Sequence, residues 1–254
     1  MIKQYFDFKG KVAVVTGGRR GLGRAMALAL ADAGADIAVV SKSESDDGLL
    51  EQIEAKGVTG LYIPADLSDR RERDNLIERV VNSLGRIDIL INSAGVQQYS
   101  EAIEYSSEMW DYDMELMLTA VMELSQQAAK FMIQQGQGGK IIQMASISSF
   151  QGARNIIGYS TVKHAIVGLT KCLANELAGK NINVNAIAPG LFKTDMAKDF
   201  FADKEKVEIF KTRIPDGRFG EAEDIIGPML FLASDMSRHV HGHILLVDGG
   251  WMGR

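Results

Sequence analysis

The chain has 254 residues, of which 46% are hydrophobic, 24% charged and 7% aromatic, enough apolar matter to fill one sizeable core. Its 26 glycines against 4 prolines point to tight turns between regular elements and exclude collagen-like or low-complexity sequence. With 28 basic and 33 acidic residues the net charge is -5, so no global positive field would hold nucleic acid, and a single cysteine excludes an internal disulfide or a cysteine zinc cluster.

Short β-branched runs and helix-period segments alternate along the chain. A strand over Val12–Thr16 leads into a helix over Gly23–Ala33, Ile37–Val40 into Asp47–Ala55, and Gly60–Ile63 into Arg70–Leu84. The strand Ile87–Asn92 precedes a long helix over Ser107–Gln134, and Lys140–Ala145 precedes a helix over Tyr159–Ala178. The strands Ile182–Ala188 and His243–Val247 flank a last helix over Ala222–Ala233. Strands alternating with helices predict right-handed crossovers and a buried parallel sheet covered on both faces, a doubly wound, Rossmann-like α/β fold in one domain over 1–254. Ligands in such sheets sit at the carboxyl ends of the strands, so the residues just after each strand are the candidates for chemistry.

The first strand ends in Thr16-Gly17-Gly18-Arg19-Arg20-Gly21-Leu22-Gly23 and runs straight into a helix. Glycine lets the backbone turn sharply against a pyrophosphate, and the helix start offers free N–H groups and the positive dipole end. The spacing Gly-x3-Gly-x-Gly departs from the usual dinucleotide fingerprint, and no Lys-Ser or Lys-Thr follows to make a nucleoside triphosphate loop. Tyr159 and Lys163 are one helical turn apart and share a face, where a nearby cation favours phenolate and makes tyrosine usable as an acid or base. Ser146 also stands just past a strand.

Together, Thr16-Gly17-x3-Gly21-x-Gly23, Asn92-Ser93-Ala94-Gly95, Ser146, Tyr159-x3-Lys163 and Pro189-Gly190 resemble the classical short-chain dehydrogenase/reductase family, in order and over nearly the whole chain. The resemblance implies a seven-stranded sheet, bound NAD or NADP, and reversible oxidation of a secondary alcohol to a ketone. By family role Tyr159 is the acid/base, Ser146 orients the substrate oxygen, and Lys163 holds the nicotinamide ribose and lowers the tyrosine pKa. Gly17, Gly21, Leu22 and Gly23 would cradle the pyrophosphate, and Asp66 and Leu67 would flank the adenine. Asn92, Ala94 and Gly95 would line the cofactor, with Pro189, Gly190 and Thr194 at its nicotinamide end. The family usually forms homotetramers, and the apolar tail Gly250-Trp251-Met252-Gly253-Arg254 would be covered by a neighbour.

Two departures stand out. Met117 occupies the position of the family's fourth catalytic residue, an Asn that holds a relay water, so the proton path is rerouted or impaired; Glu115 and Thr119 are the polar candidates nearby. An impaired nucleotide-binding sensor or scaffold is therefore the alternative to an active enzyme. At the end of the second strand stands Ser41, followed by Lys42, where an acidic residue would favour NAD. With Arg19 and Arg20 these charges favour NADP, while Glu44, Asp46 and Asp47 partly cancel them and keep NAD as the alternative.

The segments Ile214-Pro215-Asp216-Gly217-Arg218 and Val247-Asp248-Gly249-Gly250-Trp251 resemble the group of 2-dehydro-3-deoxy-D-gluconate 5-dehydrogenases and gluconate 5-dehydrogenases. That likeness implies a sugar-acid substrate, for which Ser148, Gln151 and Arg154 are polar contact candidates beside Ser146 and Tyr159. Residues 191–215, with Phe192, Met196, Phe200, Phe201 and Phe210, read as a lid. His239, His241 and His243 alternate, but no carboxylate or cysteine completes a metal set, and Cys172 reads as a small buried hydrophobe. No apolar run approaches the roughly 18 residues that span a bilayer and the start lacks a signal-peptide core, so no membrane role and a cytoplasmic location are expected.

Overall fold

The computed structural model describes residues 5–253, without the Asp199 side chain; Arg254 of the apolar tail lies outside the described residues. Seven strands form one parallel sheet: β1 Val12–Thr16, β2 Asp36–Ser41, β3 Gly60–Pro64, β4 Ile89–Asn92, β5 Gly139–Met144, β6 Ile182–Pro189 and β7 Ile244–Val247. Their order is β3-β2-β1-β4-β5-β6-β7, and every neighbouring pair is parallel. This is the doubly wound fold that the alternation predicts.

Each strand alternates between two cores. Val12 and Val14 of β1 enter one cluster with Ala38, Val40 and Leu90, while Ala13 and Val15 enter the other with Ile37, Val39, Ile89 and Ile91. On the first face lie α4 (Leu76–Leu84), α6 (Ala120–Gln135) and α7 (Ile157–Leu177). The second carries α1 (Gly21–Asp32), α2 (Leu49–Glu54) and α10 (Ile226–Ala233). Helix α1 drives Met26 and Leu30 fully into that core, about 2 kcal/mol of burial for each side chain. Among the described residues no helix is long and apolar enough to cross a membrane.

Two expected helices are interrupted. The span Arg70–Leu84 divides into α3 (Arg70–Arg73) and α4, because Asp74 is extended and Asn75 takes a positive φ of 55°. Short polar side chains tolerate that left-handed geometry. The span Ser107–Gln134 begins as α5 (Ser107–Met114), loosens into a π turn over Glu115–Thr119, and resumes as α6. Cys172 is exposed on α7 rather than buried. Along the span Ser107–Gln134, Met117 and Met132 are core residues, whereas Met122 is exposed.

The 191–215 segment contains two short helices, α8 (Lys198–Ala202) and α9 (Lys204–Lys211). Phe200 and Phe201 pack edge-on with Phe219, and Phe210 packs edge-on with Phe200 and stacks on Trp251, forming a small third core. A bridge between Phe192 and Gly220 ties the start of the segment to the chain just beyond its end.

Candidate active site

The strand order reverses between β1 and β4, and a cleft of about 500 Å³ opens there at the carboxyl ends of the strands. The Thr16 hydroxyl accepts from the backbone N–H groups of Ser93 and Ala94, both at 3.0 Å, clamping the turn after β4 to the glycine loop after β1. A Cβ on Gly17 would fall 2.8 Å from the Ala94 Cα, and one on Gly23 would fall 2.4 Å from the Gly17 carbonyl oxygen. At these two positions the loop has room for backbone alone. The N-terminus of α1 opens into the cleft through Gly21, Leu22 and Gly23, and its N-cap residue Arg20 makes no side-chain cap. Free N–H groups, a positive dipole end and a cradle too tight for side chains fit a pyrophosphate.

At the far edge of this end, Ser41, Lys42, Asp66 and Leu67 line the cleft. The Lys42 ammonium lies 2.6 Å from the Asp66 carboxylate. Burial pushes the Asp66 pKa up, but Lys42 and Ser68 outweigh it and hold the carboxyl below its ordinary range. Arg20 lines the cleft, exposed and outside every ion pair among the described residues. Arg19 does not reach the cleft, because Asp47 takes its guanidinium. The basic pair foreseen for a cofactor phosphate thus reduces to Arg20, with Lys42 shared by Asp66.

Ser146, Tyr159 and Lys163 come together where β5 ends and α7 begins. The Ser146 hydroxyl caps the turn after β5, accepting from the Ser148 N–H at 3.1 Å. The Ser149 hydroxyl donates to the Lys163 carbonyl oxygen at 2.6 Å and so fastens that turn to α7. Lys163 Nζ donates to the Met144 carbonyl oxygen at 2.7 Å and stands 5.4 Å from the centre of the Tyr159 ring. Burial pushes the Tyr159 pKa up, opposed by a hydrogen bond from Ser146. Burial of the ring thus outweighs the depression expected from Lys163, and burial also pulls the lysine's own pKa down to about 8. Tyr159 is therefore a protonated phenol at neutral pH.

The Lys163 shift gives a stability signature. The unfolded lysine titrates near 10.5, so the cost of holding its charge in the native state is fully present below about pH 8. It disappears as pH rises toward the unfolded value. We expect wild-type Tm, measured against a Lys163→Met variant, to gain on the variant between pH 8 and 10; a constant difference would contradict the desolvated lysine.

Ala94, Gly95, Pro189, Gly190 and Thr194 line the cleft as expected. Asn92 does not: it is buried beneath it, donating to Ser125 and to Gln143 at 2.9 Å. Met117 is buried with its sulfur 3.3 Å from where a Gly95 Cβ would stand, a packing position that holds no polar relay. Glu115 is drawn off by Arg73 and neither it nor Thr119 lines the cleft, so neither replaces the missing Asn. His241 meets the Asn183 amide at 3.2 Å, and among the described residues no group of three metal-ligating side chains forms.

Ser148, Gln151 and Arg154 line the cleft, together with residues that the sequence reading missed: Gln97, Tyr99, Tyr112, Lys206 and Trp251. Gln97 and Tyr99 follow β4 closely, so the strand-end rule could have found them; Lys206 and Trp251 arrive only through tertiary packing.

The family model described as enoyl-(acyl carrier protein) reductase matches residues 17–252. A 2-dehydro-3-deoxy-D-gluconate 5-dehydrogenase of Dickeya dadantii is 44% identical over 254 residues, covering 100% of both chains. A gluconate 5-dehydrogenase from Burkholderia cenocepacia, crystallised with NADP and tartrate, superposes with a TM-score of 0.95 at 30% identity over 100% of both chains. A proposed NAD(P)-dependent gluconate 5-dehydrogenase from Beutenbergia cavernae, with bound NADP, gives 0.94 at 38% identity over 98% of this chain and 100% of that one. These relatives are all dehydrogenases, and the reading of a sensor without turnover finds no support among them.

Proposed function

The chain belongs to the short-chain dehydrogenase/reductase family, and from that premise we propose that it interconverts a secondary alcohol and a ketone of a sugar acid with NADP as the preferred cofactor. The observation that carries this reading is the meeting of Ser146, Tyr159 and Lys163 beside a phosphate-shaped glycine loop in one cleft. The names of the relatives supply the substrate class: a keto-deoxy-gluconate or a keto-gluconate.

The cofactor supplies the hydride, and every other demand falls on the protein. Gly17, Gly21, Leu22 and Gly23 hold the pyrophosphate, Asp66 and Leu67 flank the adenine, and Arg20 with Lys42 faces the ribose phosphate that distinguishes NADP. Ala94, Gly95, Pro189, Gly190 and Thr194 line the way to the nicotinamide end, while Asn92 braces the turn from below. Ser146 positions the substrate oxygen. In reduction Tyr159 gives its phenolic proton to that oxygen and takes it back in oxidation, for which a positioned acid/base group is required. Lys163 binds the nicotinamide ribose and, lining the cleft itself, exchanges protons through cleft water with no help from position 117. Residues 191–215 act as a lid that shields this chemistry. The exposed Leu246 of edge strand β7 suits burial in a homotetramer, whose mass light scattering would read directly, whereas Trp251 of the tail is covered by its own chain and not left for a neighbour.

Reduction of 5-keto-D-gluconate and 2-dehydro-3-deoxy-gluconate analogues, followed at 340 nm with NADPH and NADH, tests the function; silence across sugar acids and small ketones would sink it. Arg20→Ala is expected to weaken NADPH binding by about 10-fold, the worth of one charge-assisted hydrogen bond, and to leave NADH little changed. Equal weakening of both, by nucleotide fluorescence titration, would remove Arg20 from phosphate recognition.

A further inference from the structure

Beyond Ser146 and Tyr159 the cleft combines two unlike surfaces. The lid side is aromatic, with Phe200, Phe201, Phe210 and Trp251, an apolar wall that lowers the local dielectric. Two exposed cations also line the cleft, Arg154 from the loop before α7 and Lys206 from α9. Most charged side chains nearby are spoken for: Lys193 pairs with Glu221, Arg218 with Asp216 and Asp224. The Arg213 guanidinium lies 4.5 Å from the centre of the Trp251 ring, stacked and occupied. Arg154 and Lys206 form no ion pair among the described residues. The Lys206 ammonium instead rests 5.4 Å from the centre of the Phe200 ring.

The carboxylates of the cleft do not compensate them. Asp66 is taken by Lys42 at the adenine end. Asp195 lines the cleft where the glycine loop meets the lid, on a lip shared with Gly21, Thr194, Phe201 and Ala202, and forms no ion pair among the described residues. Both side chains are exposed, and the Asp203 carboxylate is engaged in capping α9, where it accepts the Lys206 backbone N–H at 3.1 Å. Two cations outside every ion pair among the described residues, beside an apolar wall, can receive an anion, and the guanidinium can grip a carboxylate through two parallel hydrogen bonds.

We infer that Arg154 and Lys206 form a two-sided anchor for the carboxylate of the substrate, which holds the acid end away from Tyr159 and leaves the ketone beside it. The inference rests on the dehydrogenase reading above, since it presumes a carbonyl at Tyr159. The ligand class is a hydroxy-keto acid whose carboxylate lies several bonds from the reacting carbon, its carbon chain lying along the aromatic wall. Arg154 belongs to a fixed loop, where the neighbouring Asn155 carbonyl accepts the Ser100 N–H at 3.0 Å. Lys206 belongs to the lid. One bound carboxylate therefore cross-links lid and wall, so the acid that is to react also closes the cleft over itself.

The test compares 5-keto-D-gluconate with L-sorbose, the ketose that carries CH2OH in place of the carboxylate. Arg154→Gln and Lys206→Gln should each reduce the preference for the acid, as the ratio of kcat/KM values, by about 10- to 100-fold, the cost of losing a charge-assisted hydrogen bond. The loss should fall in KM for the acid. A second readout is independent of turnover: calorimetric binding of tartrate to the NADP-saturated protein, expected for the wild type and strongly weakened in both variants. NADPH affinity reports that each variant is folded. Unchanged preference and unchanged tartrate binding in the variants overturn the anchor, as does a wild type that binds no tartrate and shows no preference for the acid. Tartrate binding lost in the variants, in a protein that reduces neither ketone, upholds the anchor and overturns the substrate assignment instead.

Discussion

Replacing Tyr159 by phenylalanine is expected to lower kcat by about 10²- to 10⁴-fold, the contribution of a positioned general acid or base. The substitution removes one oxygen and keeps the ring, so the packing of α7 against the sheet is preserved. Fold and cofactor affinity should survive, because the glycine loop, Arg20 and Lys163 are untouched. Stability should hold as well: burial opposes the ionised phenol, and the variant has nothing there to ionise. The measurement is kcat at saturating ketone, with NADPH affinity as the control. A fall of less than tenfold would mean that another group moves the proton, and Ser146 would then be the residue to examine.

Arg73→Ala is expected to cost about 3–5 kcal/mol, the penalty for removing one partner of a buried charge cluster. The Arg73 side chain is 0% exposed and spends its fork on three acceptors: Glu115, Glu123 at 2.8 Å, and the Leu67 carbonyl oxygen at 2.5 Å. Alanine leaves a void and strips Glu115 and the Leu67 carbonyl oxygen of this partner, while Glu123 keeps only Arg70 at 3.1 Å. For a chain of this size the loss corresponds to a Tm lower by roughly 6–20 °C, readable by thermal unfolding. The same cluster links the π turn to the edge of the adenine region, since Glu115 opens that turn and Leu67 lines the cleft. Nucleotide affinity should therefore fall with stability. Arg73→Lys, which keeps the charge but loses the planar fork, should recover only part of either. A Tm within about 2 °C of the wild type, less than 1 kcal/mol for a chain of this size, would show that the two glutamates relax into water without the arginine.

The fold was legible because the strands are buried on both faces and short, with glycine or polar residues between them; β1, β3 and β6 begin where the β-branched runs begin. The cleft was legible for a related reason: parallel sheets place ligands at strand ends, which drew attention to Gly17, Ala94, Ser146 and Pro189. What stayed hidden is of two kinds. Backbone detours such as the π turn at Glu115–Thr119 leave the hydrophobic period unbroken over a few residues, and the break at Asn75 depends on one dihedral angle. The other kind is partner choice. Sequence reveals that Arg19, Lys42, Asp47 and Asp66 carry charges near the cofactor end, but only folding decides that Asp47 takes Arg19 and Asp66 takes Lys42. Lys206 was invisible for the same reason, because a lid residue meets the cleft only through the packing of Phe200 and Phe210.

The strand order also bears on how the chain is made. β2 docks on one side of β1 and β3 on β2; β4 then docks on the other side of β1, followed by β5, β6 and β7 in turn. Every strand after the first finds its partner already synthesised, and none has to insert between two that are paired. The sheet can grow outward as the ribosome delivers it, so the nucleotide half can stand complete before Ser146, Tyr159 and Lys163 have emerged.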